Sequence, residues 1–114
     1  MSQTLQPPLT PAVFFALFAL AGGDKHGYAI MQETRSLSDD SFRMGPATLY
    51  TTLQRLLDLG LVQEVPAAAA EDARRRVYTL TRTGRALLDA ELARIESMLR
   101  KARGLRTRLG QGKP

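Results

Sequence analysis

The pattern of apolar and polar positions along the chain predicts four helices and two strands. The first helical stretch opens at Thr10-Pro11. Threonine can cap free backbone N–H groups there, and proline at the first helical position forfeits no hydrogen bond. Val13, Phe14, Leu17, Phe18 and Leu20 then occupy nearly every side of a helix expected to stop at Gly22-Gly23, where glycine tolerates a left-handed exit. A helix apolar all round is buried on several faces. Ahead of it, residues 1–9 contain Pro7 and Pro8 with little periodicity and read as a flexible arm.

A second helix is expected over about His26 to Ser36, with Ile30 and Met31 inward and Gln32, Glu33 and Arg35 outward. Ser38-Asp39-Asp40-Ser41 reads as a turn. Gly45-Pro46 opens a third helix whose Leu53, Leu56 and Leu57 fall within about 80° of Leu49 at the helical repeat. Ala47, Thr48, Thr51, Gln54, Arg55 and Asp58 fill the opposite face, and Gly60 ends the helix. That face is polar and carries little charge.

Leu61 to Val65 and Arg74 to Leu80 are β-favouring runs, the second with Tyr78 and Leu80 on one face. About eight residues join them, so they predict a hairpin with a long tip. Thr81 caps a last helix bearing Leu88, Leu92, Ile95, Leu99 and Ala102, the spacing of a heptad seam. Glu91, Arg94 and Glu96 lie outside that seam, Gly104 should weaken the helix, and residues 110–114 should fray into a disordered tail.

Helix, helix, turn, helix and hairpin is the order of a winged helix-turn-helix. The fold class expected is therefore mainly α with a small β-hairpin, spanning residues 10–80. Residues 81–109 add a C-terminal dimerisation helix. In such folds the helix after the turn enters the major groove, where all base pairs are distinguishable.

Composition narrows the function. The 114 residues hold 16 Lys and Arg against 11 Asp and Glu, a formal charge of +5 that favours a polyanionic partner. Residues 1–60 hold four bases and five acids, and residues 61–114 hold twelve and six, so the excess lies on the hairpin and last helix. The absence of cysteine excludes disulfides, thiolate metal sites and cysteine nucleophiles. One histidine, His26, offers no pair for catalysis; it reads as a helix-start residue, and no enzyme, cofactor or metal is expected. The longest apolar run, Ala12 to Ala21, is half of what crosses a bilayer. No base precedes it, so neither a secretory signal nor a membrane association is expected and the location should be cytoplasmic.

Four segments then identify a relationship. Lys25-His26-Gly27-Tyr28, Gly45-Pro46-Ala47-Thr48-Leu49-Tyr50, Leu53-Gln54-Arg55-Leu56 with Leu59-Gly60-Leu61-Val62, and Arg75-Arg76-Val77-Tyr78-Thr79-Leu80-Thr81 with Gly84 resemble the PadR family of bacterial transcriptional regulators. The match runs over about residues 9–90. The resemblance implies a homodimeric repressor with a winged helix-turn-helix and a C-terminal dimerisation helix, of the small single-helix subgroup. Gly45 and Val77 depart from the serine and tyrosine frequent in the family, and Glu71 and Asp72 place acids at the wing tip, where they would repel phosphate.

Double-stranded DNA is thus the expected partner. Ala47, Thr48, Thr51 and Arg55 form the reading face, with Tyr50 at its flank suited to a phosphate. Arg74, Arg75 and Arg76 at the wing root suit backbone clamping, and Lys25 and Tyr28 at a helix start suit phosphate contact. The bland alternative is that the third helix shows only a solvated face, or meets a protein partner in an interaction module. For the homodimer, Phe14, Phe18, Leu88, Leu92, Ile95 and Leu99 are the expected interface, the alternative being an intramolecular seam on the first helix. Some PadR relatives bind planar apolar effectors between subunits; Phe14, Phe18, Ile95 and Met98 would line such a pocket, and would equally serve as packing.

Overall fold

The computed structural model describes residues 5–66 and 76–111. Among them the order is α1 (Pro11–Ala21), β1 (Lys25–His26), α2 (Gly27–Leu37), α3 (Pro46–Asp58), β2 (Val62–Val65), β3 (Val77–Leu80) and α4 (Arg82–Gln111). The protein is mostly helical, with one small antiparallel sheet in the order β1-β3-β2. Val62 pairs with Leu80 and Val65 with Val77, while His26 pairs with Val77 from the other edge.

The central element is α1, which packs against α2, α3, α4 and β3. It starts where Thr10 Oγ1 accepts the Val13 N–H at 3.4 Å, with Pro11 in the first turn. Val13, Ala16, Leu17, Ala19 and Leu20 are buried. Around them gather Ile30, Leu49, Leu53, Leu56, Val62, Tyr78 and Leu88, each large apolar side chain contributing about 1.5–3 kcal/mol by leaving water. The exit from α1 is not left-handed at Gly22, which stays in the right-handed region; Gly23 adopts positive φ.

The turn between α2 and α3 is held by its own polar groups. Ser38 Oγ accepts the Phe42 N–H at 3.1 Å, and Asp39 and Asp40 take left-handed backbone conformations, which short polar side chains tolerate. Asp40 pairs with Arg35 at 2.9 Å and Arg43 at 3.0 Å, and these two guanidinium groups hold its carboxyl below the ordinary range. Phe42 stacks on Phe15 at 5.7 Å, fixing the turn to α1.

Several expectations are corrected. Leu88 does not wait for a second chain: it is 1% exposed in the core of its own protomer. Glu91, read as lying outside the seam, is 2% exposed. Its carboxylate accepts the Leu9 N–H at 2.9 Å and pairs with Arg94 through two oxygens, the shorter contact 2.6 Å. The end of the arm is accordingly docked, with Leu5 and Leu9 against the core. Strand β3 begins at Val77, with Arg76 ahead of it. Helix α4 continues through residues 110 and 111, where fraying was expected. The expected wing tip with Glu71 and Asp72, and the last three residues of the tail, lie outside the described residues.

Candidate nucleic-acid interface

Burial divides α3 cleanly. Leu49, Thr52, Leu53 and Leu56 face the core, whereas Ala47, Thr48, Tyr50, Thr51, Gln54, Arg55 and Asp58 are exposed. Gly45 supplies no side-chain cap, so the free N–H groups of the first turn stay available to an outside acceptor. Tyr50, Thr51, Gln54, Arg55 and Asp58 line a shallow groove of about 530 Å³. Gln54 donates to Asp58 at 2.9 Å, turning that carboxylate along the helix surface.

Beside this groove lies a cleft of about 430 Å³ lined by His26, Gly27, Tyr28, Ala29, Gln32, Tyr50 and Arg76. Tyr50 belongs to both. The cleft exists because α2 and α3 approach closely at Gly27: a methyl there would stand 2.6 Å from the Tyr50 hydroxyl. Any side chain there would have to push the half-exposed Tyr50 ring aside. His26 caps α2, its Nδ1 accepting the Ala29 N–H at 3.4 Å. That is the structural role expected of it. Sheet pairing adds the wing: His26↔Val77 brings β1 beside β3, which places Arg76 near the start of α2. Arg76 Nε stands 3.8 Å from Glu64 Oε2, and both side chains are exposed. Behind them Tyr78 is buried; burial first, then the nearby Glu64 and Tyr50, push its phenol above the ordinary value and keep it neutral.

Of the residues singled out by sequence, the structure joins Tyr28, Tyr50 and Arg76 in the cleft and Tyr50, Thr51 and Arg55 in the groove. Ala47 and Thr48 stand exposed at the start of α3. Lys25 stands apart. Its ammonium donates to Ala19 O at 2.8 Å and Gly23 O at 3.3 Å, capping α1, where the carbonyl end of a helix favours a cation. Arg74 and Arg75 lie outside the described residues. Sequence reading passed over Gln32, which lines the cleft; its spacing of four from Tyr28 on one helix face was the available signal. Among the described residues no group of three metal-binding side chains occurs, and no helix is long and apolar enough to cross a membrane.

A helix with one buried and one exposed polar face, set after a turn and flanked by a hairpin, defines a winged helix-turn-helix. The model of the transcriptional regulator PadR-like family matches residues 17–90, and the chain belongs to that family. Members are DNA-binding regulators of transcription, not enzymes. The transcriptional regulator Rv3488 of Mycobacterium tuberculosis is 39% identical over 85 residues, covering 74% of this chain and 75% of that protein. A probable transcriptional regulator from Pseudomonas aeruginosa is similar in structure, with TM-score 0.64 and 30% identity over 90% of this chain and 80% of its own. A PadR family transcription regulator from Clostridium difficile shares the fold, with TM-score 0.58 and 19% identity over 90% and 97% of the two chains. The chain spans 60% and 21% of the length of two further curated relatives, from Lysinibacillus sphaericus and Streptomyces fradiae.

Proposed function

We propose that the chain is a sequence-specific repressor that occupies its promoter as a homodimer in the cytoplasm. Residues 10–80 are the DNA-binding unit and residues 81–109 the dimerisation helix. The observation that carries this reading is the exposed face of α3, held rigid by Leu49, Leu53 and Leu56 beneath it. Thr48, Thr51 and Arg55 have the chemistry to bond base edges, and Ala47 can meet a thymine methyl. Tyr28, Tyr50 and Arg76 surround the N-terminus of α2, where backbone N–H groups and the helix dipole favour a phosphate. Arg74 and Arg75 would extend that clamp along the wing.

The dimer would be built from α1 and α4. Phe14, Phe18, Leu92 and Ile95 are only half-buried in one protomer, and Leu99 is exposed. A second copy covering them would set two α3 helices about 34 Å apart, one turn of duplex. A small apolar effector that released the operator would enter between the subunits and meet Phe14, Phe18, Ile95 and Met98.

Selection of bound duplexes from a random library tests the reading, and an inverted repeat is the expected product. Thr51→Ala and Arg55→Ala should each cost about 1–3 kcal/mol and relax preference at one position. Arg75→Ala should weaken all sequences alike and lower the log–log salt slope by about one. The protein-interaction reading draws on the near balance of Arg55 with Asp58 and Arg76 with Glu64. It requires that no duplex be enriched and that the salt slope be flat.

A further inference from the structure

The charge of this protein is not on the face that would read DNA. Residues 1–96 carry ten bases and eleven acids, while residues 97–114 carry six bases and no acid. The positive excess therefore lies at the C-terminal end of the sequence, with five of these six bases on α4. Arg100, Lys101, Arg103, Arg106 and Arg108 are all exposed, as is every residue from Met98 to Gly110. These five bases occupy about 12 Å of helix axis.

The plainest explanation is the helix dipole, which favours bases at a C-terminus. It reaches only the last turn, and so accounts for Arg108. It does not account for a run that begins eleven residues before the end. Like charges three residues apart, Arg100 with Arg103 and Arg103 with Arg106, destabilise a helix rather than support it. An external anion of matching density would relieve that repulsion, and duplex DNA offers one charge per about 1.7 Å of its axis.

We infer that residues 100–108 form a second nucleic-acid surface, which grips the phosphate backbone of duplex flanking the site read by α3. This rests on the DNA-binding reading above. A membrane is the poorer fit. The exposed apolar side chains here are Met98, Leu99, Leu105 and Leu109, without the aromatic residues that anchor an interfacial helix. At the helical repeat Arg106 falls within about 20° of Leu99, interrupting the stripe a bilayer would need. The molecule is 67 Å long, about 20 base pairs of duplex, which is more than one half-site occupies. A basic element at one end can therefore reach beyond the bases that α3 touches.

The test compares the full chain with Arg100→Gln, Lys101→Gln, Arg103→Gln, Arg106→Gln and Arg108→Gln combined, after circular dichroism has shown equal helix content. Both bind duplexes of about 22 and 44 base pairs carrying the sequence enriched from the random library. The intact chain should bind the longer duplex about tenfold more tightly, and the variant should lose that gain. Its salt slope on the longer duplex should be shallower by about 0.9 per contact removed, with unchanged affinity for the shorter one. An equal loss on both duplexes, or no loss on either, overturns the inference. So does binding to phosphatidylserine-containing vesicles that the variant abolishes while its DNA binding stays intact. If the intact chain enriches no sequence, the reading of α3 falls separately, and random duplexes of the two lengths still decide the role of the basic segment.

Discussion

The two halves of α4 share one continuous helix and little else. Residues 82–97 carry three bases and three acids, and Gly84, Leu88 and Glu91 are buried against the rest of the chain. Residues 98–110 carry five bases and no acid, and none is buried. The apolar spacing runs through both halves. What separates them is the neighbour: α1 and the docked arm cover the first half, and among the described residues nothing covers the second. A heptad stripe thus says where a helix can be covered, not by what.

The sharpest break in this comparison is at Gly84, where the start of α4 crosses the strand end. Thr81 donates its N–H to Leu61 O at 3.1 Å and its hydroxyl to Gly60 O at 2.7 Å, drawing the helix onto that backbone. A methyl group at Gly84 would run into the Leu61 carbonyl oxygen, and backbone cannot rotate away as a side chain can. Gly84→Ala should cost about 3 kcal/mol or more, up to failure to fold. Gly104→Ala, with open space around it, should stabilise by about 0.5–1 kcal/mol. Thermal unfolding followed by circular dichroism measures both.

Next in size is Leu88→Ala. A fully buried leucine leaves a cavity as well as losing its transfer energy, about 2–5 kcal/mol in all. Because Leu88 packs within its own protomer, that loss should not depend on protein concentration. A concentration-dependent loss would return Leu88 to the subunit interface.

Glu91 gives a smaller effect with a pH signature. Arg94 first, then the Leu9 N–H, hold its carboxylate below the ordinary value against the opposing effect of burial. Its folded value is thus below its unfolded one. The stability it contributes is complete above the ordinary carboxylate range and is lost as pH falls through the depressed folded value. Residues 5–10 of the arm and all of α1 carry no titratable side chain, so Arg94 is the charged partner. Glu91→Gln should cost about 1–3 kcal/mol at neutral pH, and much less in acid, where the native residue is itself neutral. A cost that stayed constant down to pH 2 would refute the assignment.

What was legible in the sequence follows the same division. The faces of α3 could be read because Leu49, Leu53 and Leu56 repeat at the helical period, and that period alone separates the face that packs on α1 from the exposed one. Thr10-Pro11 and Thr81 announced their helix starts by capping chemistry, and the Thr10 and Thr81 hydroxyls do accept the Val13 and Gly84 N–H groups. The strand β1 was not legible, since Lys25-His26 is too short to have a period and owes its form to pairing with Val77 and Tyr78. Glu91 was missed for a related reason. Its burial depends on Leu9, 82 residues away, and no local pattern marks a carboxylate that a distant backbone N–H will meet. At the candidate site the residue types were visible, but their grouping was not. Tyr28, Tyr50 and Arg76 come from three elements, and only the sheet register and the approach at Gly27 assemble them.

The smallest expected effect on the fold is at the far end of α4. Leu105 and Leu109 are 48% and 59% exposed, so cutting either side chain back leaves no cavity. Leu105→Ala with Leu109→Ala should change the stability of a dilute protomer by no more than about 0.5 kcal/mol each. Their effect should instead grow with concentration. If the proposed homodimer covers this end of the stripe, association stabilises the folded chain by mass action, and the variant loses that increment only where the native protein is dimeric. Thermal unfolding at low and high protein concentration, alongside light scattering, separates the cases. The native midpoint should rise with concentration, while the variant's stays lower and changes less. A double variant that remains dimeric would confine the interface to Leu92, Ile95, Leu99 and α1. In that case the distal half of α4 would be free for its basic face alone.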